Sequence, residues 1–261
     1  MPTPSDAAAY LALGLVIGFM SGLFGVGGSS ISTPLLRLID VPRMIALATP
    51  LPVTLPTALV GGFVYWRRGW VKKRVLIWTV LGGTPGVVVG SLLTEVVPGR
   101  MLMLLTGCFV VAVGVRLLQP VVDEQPEPDP QGPPVAVLVA VGAAVGLLSG
   151  LLANGGGFLL VPAYLVVCRL AIQEAAATSL VAVGFLATPG TWIHWRLGHV
   201  DWAMALGLAT GAVPSTYAGA RLGSNLPKER ARFLFGLFLT VFGAMFLWRT
   251  VYRAEVYGWL T

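Results

Sequence analysis

Gly18-Phe-Met-Ser-Gly-Leu-Phe-Gly-Val-Gly-Gly-Ser-Ser-Ile-Ser-Thr-Pro34 returns 128 residues further on as Gly146-Leu-Leu-Ser-Gly-Leu-Leu-Ala-Asn-Gly-Gly-Gly-Phe-Leu-Leu-Val-Pro162. The identical pairs are Gly18/Gly146, Ser21/Ser149, Gly22/Gly150, Leu23/Leu151, Gly27/Gly155, Gly28/Gly156 and Pro34/Pro162. Both copies interrupt strongly apolar runs. Two apolar helices broken at matching points of a duplicated chain are the pattern of a secondary transporter, whose substrate sits at the seam between repeats.

Beyond this motif the duplication continues at a spacing of 129. Thr49 matches Thr178, Gly61 matches Gly190, and Trp66-Arg67-x-Gly69-x-Val71 matches Trp195-Arg196-x-Gly198-x-Val200. Gly82/Gly211, Pro85/Pro214, Gly90/Gly219, Pro98/Pro227, Gly107/Gly236 and Gly114/Gly243 keep the register. The chain therefore divides into a first transmembrane repeat (1–119), a linker (120–134) and a second transmembrane repeat (135–261). The linker, rich in proline and acidic residues and without an apolar face, reads as solvated, semi-extended chain.

Composition fixes the class. Hydrophobic residues make up 56% and charged residues 11% of the chain, and mean hydropathy is +0.83; soluble domains carry roughly 25% charged residues. Apolar stretches recur at lengths that cross a hydrocarbon core of roughly 30 Å. Backbone polar groups in lipid must be satisfied within the segment, so these stretches read as helices. The expectation is an all-α polytopic membrane protein of about five helical segments per half. The first two segments of each half come from a Gly-Gly-broken helix. Expected helices span 7–25, 29–39, 43–66, 74–95 and 99–119, then 135–152, 157–170, 173–195, 201–222 and 230–248. Prolines 50, 52, 56, 85, 189 and 214 fall inside them and should kink or unwind them locally.

The net charge of +6 comes from lysines and arginines between apolar segments, which reads as topology and not as a nucleic-acid footprint. If each broken pair is a hairpin returning to its own side, one face collects Arg67, Arg68, Lys72, Lys73, Arg74, Arg116, Arg169, Arg221, Lys228, Arg230 and Arg232. The other collects Arg37, Arg43, Arg100, Arg196, Arg249 and Arg253. That bias favours inverted repeats with the linker in the cytoplasm of a multi-pass inner-membrane protein.

A helix that starts inside the membrane presents N–H groups and the positive end of its dipole. Gly27-Gly28 and Gly155-Gly156-Gly157 let the backbone approach a ligand closely. Ser29, Ser30, Ser32 and Thr33 add hydroxyls, and Asn154 adds an amide. Two such starts facing each other make a neutral, donor-rich pocket for a small anion; close helix packing is the competing reading of the same glycines. Thr49 and Thr178 join the candidates because they recur, beside Pro50 and Ser179. Arg67 and Arg196 read as interfacial anchors or as a vestibule for anions, and Arg221, whose repeat counterpart is Leu92, breaks the symmetry. His194 could titrate near neutrality, although histidine at an interface is more often structural. No carboxylate stands near the middle of an apolar segment, so no acidic proton relay is evident. No metal-spaced cluster, cofactor motif or enzymatic constellation appears, and none is expected. Cys108 and Cys168 read as structural thiols.

At these residues the chain resembles the TauE/SafE family, also called the 4-toluene sulfonate uptake permease family. The shared features are the paired Gly-x-x-Ser-Gly motifs with their following Pro34 and Pro162, the Trp/Gly pattern after the third helix and the Gly/Pro-rich fourth helix. The resemblance implies a secondary transporter, often an exporter, of sulfite, sulfoacetate or organosulfonates. It points to Gly25, Gly27, Gly28, Pro34, Asn154, Gly155, Gly156 and Pro162 as lining the central site. The second copy departs from the pattern with Ala153-Asn154 where the first has Gly25-Val26. The expected partners are a small anionic substrate and the lipid bilayer, with no nucleic acid; a homo-oligomer stays open. An anion channel on the same broken helices, or a non-transporting membrane subunit, are the rival functions.

Overall fold

The computed structural model describes residues 4–39, 41–93, 99–119, 132–152 and 156–257. Their regular structure is helical: α1 (Pro4–Phe24), α2 (Gly28–Leu38), α3 (Arg43–Ala48), α4 (Leu51–Arg67), α5 (Lys73–Leu93), α6 (Gly99–Leu118), α7 (Val135–Leu152), α8 (Gly157–Val166), α9 (Ile172–Arg196), α10 (Trp202–Gly223) and α11 (Lys228–Tyr257). Among the described residues, five spans are long and apolar enough to cross a membrane: Ala7–Phe24, Met44–Arg67, Lys73–Leu93, Val135–Leu152 and Ile172–Arg196. Large apolar side chains such as Leu59, Phe63, Trp192 and Leu206 point outward, as side chains meeting lipid do. This is a multi-pass α-helical membrane protein.

Helix ends follow local chemistry. The segment expected as one helix over 43–66 is two, α3 and α4, divided at Thr49-Pro50. Proline lacks the N–H that would continue the ladder. In the second half Ser179 stands at that register, and α9 runs through unbroken. Pro56, Pro85, Pro189 and Pro214 are accommodated inside helices. After α4 and α9 the chain turns on Gly69 (φ 72°) and Gly198 (φ 74°), where a side chain would be strained. The Asp201 carboxylate accepts from the Met204 N–H at 3.0 Å and caps α10. The last helix reaches Tyr257, further than the hydropathy pattern indicates.

The two halves are interwoven. α1 lies along α10, and α5 lies along α7. A Cβ on Gly18 would overlap the Ala212 backbone, and one on Gly146 would overlap the Gly83 backbone. Lipid tails give helices no hydrophobic reason to associate, so close backbone approach at small residues supplies the packing energy. Both pairs are parallel: Gly14 faces Leu208 while Gly22 faces Thr216, and Gly82 faces Val139 while Gly90 faces Leu147. Two other pairs are antiparallel. In α4 and α9, Gly61 meets Leu180 while Leu51 lies near Gly190; in α6 and α11, Gly114 meets Thr240 while Val111 meets Gly243. Each half thus lends its first helix to the other.

These directions sort the helix ends. At one end lie the C-termini of α1, α4 and α10, joined by the Tyr65 hydroxyl, which donates to the Gly22 carbonyl at 2.7 Å and lies beside Gly223. The starts of α5, α7 and α9 lie at this same end, here called the linker end. Arg68 fastens it by donating to the Ser224 carbonyl and to Asn225 Oδ1 at 2.7 Å. Lys72 and Glu174 form an ion pair there at 2.6 Å. The starts of α4 and α10 lie at the far end.

Candidate functional site

The first break begins where α1 stops at Phe24. Gly25 (φ 70°) and Gly27 (φ 72°) adopt left-handed backbone that reverses the chain. The Gly25 N–H closes on the Ser21 carbonyl at 2.8 Å, and α2 then starts at Gly28. α2 runs back along α1, so a Cβ on Gly28 would touch the Ile17 side chain. Gly27 faces Val183 and Thr54, midway along the antiparallel pair α9 and α4. Thr54 and Val183 are themselves repeat counterparts.

In the second half, α7 stops at Leu152 and α8 starts at Gly157, after Gly156 at φ 75°. Gly156 faces Ser149 and Val145 of α7, so α8 also folds back along its predecessor. Gly157 rests against the backbone of Val26, and a Cβ there would overlap the Val26 carbonyl. The Ser179 hydroxyl donates to the Gly157 carbonyl at 3.4 Å. The two reversals therefore touch, in the interior of the bundle.

Electrostatics at this meeting point come from dipoles. α2 and α8 both begin on a glycine cap, which carries no side-chain acceptor. Their positive ends converge from opposite halves. Ser29, Thr54 and Ser179 are buried beside them, and the described residues facing Gly27, Gly28, Gly156 and Gly157 are uncharged. Among the described residues no group of His, Cys, Asp and Glu could hold a metal ion.

The sequence candidates separate into distinct places. Gly25, Gly27, Gly28, Gly156, Gly157 and Ser179 come together at the breaks. Ser29 is buried in the first turn of α2. Thr33 lies one turn on, its hydroxyl donating back to the Ser29 carbonyl at 3.2 Å. Pro162 is buried inside α8. Asn154 and Gly155 lie outside the described residues, as do the side chains of Ser30 and Pro34.

Thr49 and Thr178 are not brought to the breaks. The Thr49 hydroxyl accepts from the Asp201 N–H at 3.1 Å at the far end, and the Thr178 hydroxyl accepts from the Lys72 N–H at 3.0 Å at the linker end. Lys72 and Asp201 stand at matching positions, so each threonine satisfies the donor just ahead of a helix in the other half. Arg67, Arg196 and Arg221 are exposed at helix ends. The Arg67 guanidinium sits 5.6 Å from the Phe63 ring centre, a cation–π contact along α4.

Residue typing could not single out Val26, because it enters the site through its carbonyl. The signal that could have found it is its register, opposite Asn154 in the second copy.

The model of the sulfite exporter TauE/SafE family matches residues 10–246. A "Probable membrane transporter protein" of Xylella fastidiosa (strain 9a5c) is 29% identical over 246 residues, covering 91% of this chain and 93% of that protein. "Probable membrane transporter protein YunE" of Bacillus subtilis is 24% identical, covering 84% and 88%. A protein of Haemophilus influenzae with the same transporter description is 24% identical, covering 88% and 94%. No solved structure matches the chain. With the family model spanning nearly the whole sequence, this chain belongs to the TauE/SafE sulfite exporter family of membrane transporters.

Proposed function

We propose that this protein is a carrier of small sulfur oxyanions, such as sulfite, sulfoacetate or organosulfonates, working by alternating access around the paired breaks. The observation that carries the reading is the contact of Gly157 with the Val26 backbone. It brings the positive ends of two half-helices to one place inside the bundle. An anion there is held by N–H groups and by hydroxyls such as those of Ser29 and Ser179. Release is easier from such a site than from one holding a fixed positive charge, which suits turnover.

The two halves are read as inverted repeats. Supporting this, the repeat counterparts α4 and α9 run antiparallel, as do α6 and α11. An axis relating antiparallel spans lies in the membrane plane. Eleven of the 17 basic residues then fall at the linker end, which the positive-inside rule assigns to the cytoplasm. In this reading the two broken hairpins and the pairs α1/α10 and α5/α7 rock against α4 and α9.

The experiment is uptake into proteoliposomes containing the purified full chain, with sulfite, sulfoacetate, taurine and sulfate compared under imposed pH gradients. Saturable movement of at least one sulfur anion, without channel-like currents in planar bilayers, is the expected result. Absence of movement for all four anions would overturn the carrier reading.

A further inference from the structure

Tyr65 in the first half stands where the second half has His194, one residue before each matched Trp-Arg pair. Tyr65 is 1% exposed, and its hydroxyl latches α4 to the Gly22 carbonyl of α1. His194 is 0% exposed and occupies the matching place at the far end. It lines a narrow gap, too small for a water, with Leu51 of α4, Val87 and Ser91 of α5, and Ser149 and Gly150 of α7.

This latch lacks its partner. His194 Nε2 has no hydrogen bond, and neither has Ser91 Oγ in the same pocket. Leaving two buried polar atoms unpaired costs more than a typical hydrogen bond contributes. On its other side His194 Nδ1 meets His199 Nδ1 at 3.2 Å, so one nitrogen carries the hydrogen and the other accepts. The lining residues from α4, α5 and α7 are uncharged, and His199 is the titratable group that faces the ring among the described residues. The pocket also shares a wall with the second break: Ser149 lines it, and a Cβ on Gly156 would lie 3.2 Å from Ser149 Oγ.

We propose that His194 is the proton-binding residue of the transport cycle, charged when an anion occupies the paired breaks next door. The inference rests on the anion-carrier reading above. A protonated imidazole carries a hydrogen on both nitrogens, so Nδ1 keeps the His199 contact while Nε2 becomes a charged donor that nothing in the pocket accepts from. A buried imidazolium without a carboxylate is costly, and an anion beyond Ser149 offsets that cost. The proton arrives from water at the far end, where His199 is partly exposed. Binding of the anion and of the proton then favour each other by the same factor.

Histidine NMR on the full chain in nanodiscs tests this directly, because the chain has two histidines and His199→Gln assigns the signals. Methanesulfonate is the probe, since its charge does not change with pH. The expected result is a His194 signal that moves toward imidazolium at fixed pH when methanesulfonate is added. In proteoliposomes, His194→Gln should lose the response of sulfite and sulfoacetate transport to a pH gradient, whereas wild type changes by up to about tenfold per pH unit. His194→Tyr, which restores the first-half residue, should behave as His194→Gln does and guards against a folding defect of one variant. A His194 signal unmoved by methanesulfonate overturns the inference. So does a variant that keeps the wild-type gradient response, and that outcome leaves the carrier reading standing. Wild-type protein that moves none of the anions overturns both.

Discussion

The carbonyl of Val26 lies against Gly157, so that the reversal in one half touches the first residue of the short helix in the other. Replacing Gly157 with alanine puts a Cβ into that carbonyl, which is backbone and has little room to yield. The expected cost is about 1–3 kcal/mol of stability, read as a lower melting temperature in detergent, with loss of sulfur-anion uptake. Gly28→Ala is the contrast. Its Cβ meets only the Ile17 side chain, which can turn aside, so melting should change little. Equal losses for both variants would disconnect the Val26–Gly157 contact from function.

Ser179 tests the hydroxyls. Its Oγ reaches the Gly157 carbonyl at 3.4 Å, a length that leaves it ready to turn toward an anion. Ser179→Ala should raise the half-saturating concentration for a sulfur anion severalfold, matching about 0.5–1.5 kcal/mol for one hydrogen bond. Melting should stay near wild type. An unchanged concentration dependence would remove Ser179 from the proposed site.

Thr49 and Thr178 test the opposite role. Thr49→Val and Thr178→Val keep the shape but strand the N–H groups of Asp201 and Lys72. Each should lower stability by about 0.5–1.5 kcal/mol while leaving apparent substrate affinity unchanged. A shift in affinity without loss of stability would return these threonines to the binding site.

Orientation can be read from Arg67 and Arg196, repeat counterparts that are both exposed at helix ends. In a chain with Cys108 and Cys168 replaced by serine, Arg67→Cys and Arg196→Cys should react with a membrane-impermeant maleimide from opposite sides of the membrane. Arg67 is expected on the cytoplasmic side. Labelling of both from one side would make the repeats parallel.

The ion pair of Lys72 and Glu174 should matter little. Both side chains are partly exposed, and such pairs contribute about 0–1 kcal/mol. Glu174→Gln should therefore leave melting and uptake near wild type, and a loss of uptake would point to a role for the linker end in the cycle.

Much of the fold was legible because lipid imposes strict rules. Apolar length marks the spans, and glycine and proline stand out as the residues that end or bend them. Pro50 opposite Ser179 accounts for the split of α3 from α4 against the continuous α9. The site was less legible. Thr49 and Thr178 recur in the sequence, and only packing shows that each accepts from the N–H just ahead of a helix in the other half. His194 looked ordinary because the missing partner of its Nε2 is a matter of packing, which no spacing reveals.

Sequence alone determined that this chain is a helical membrane protein whose glycines and prolines recur in register, because hydropathy and residue spacing are properties of local chain chemistry. Tertiary structure alone decided which faces meet: α1 with α10, α5 with α7, and Val26 with Gly157. The physical reason is that a glycine face or a backbone carbonyl has no preferred partner until packing brings one within reach.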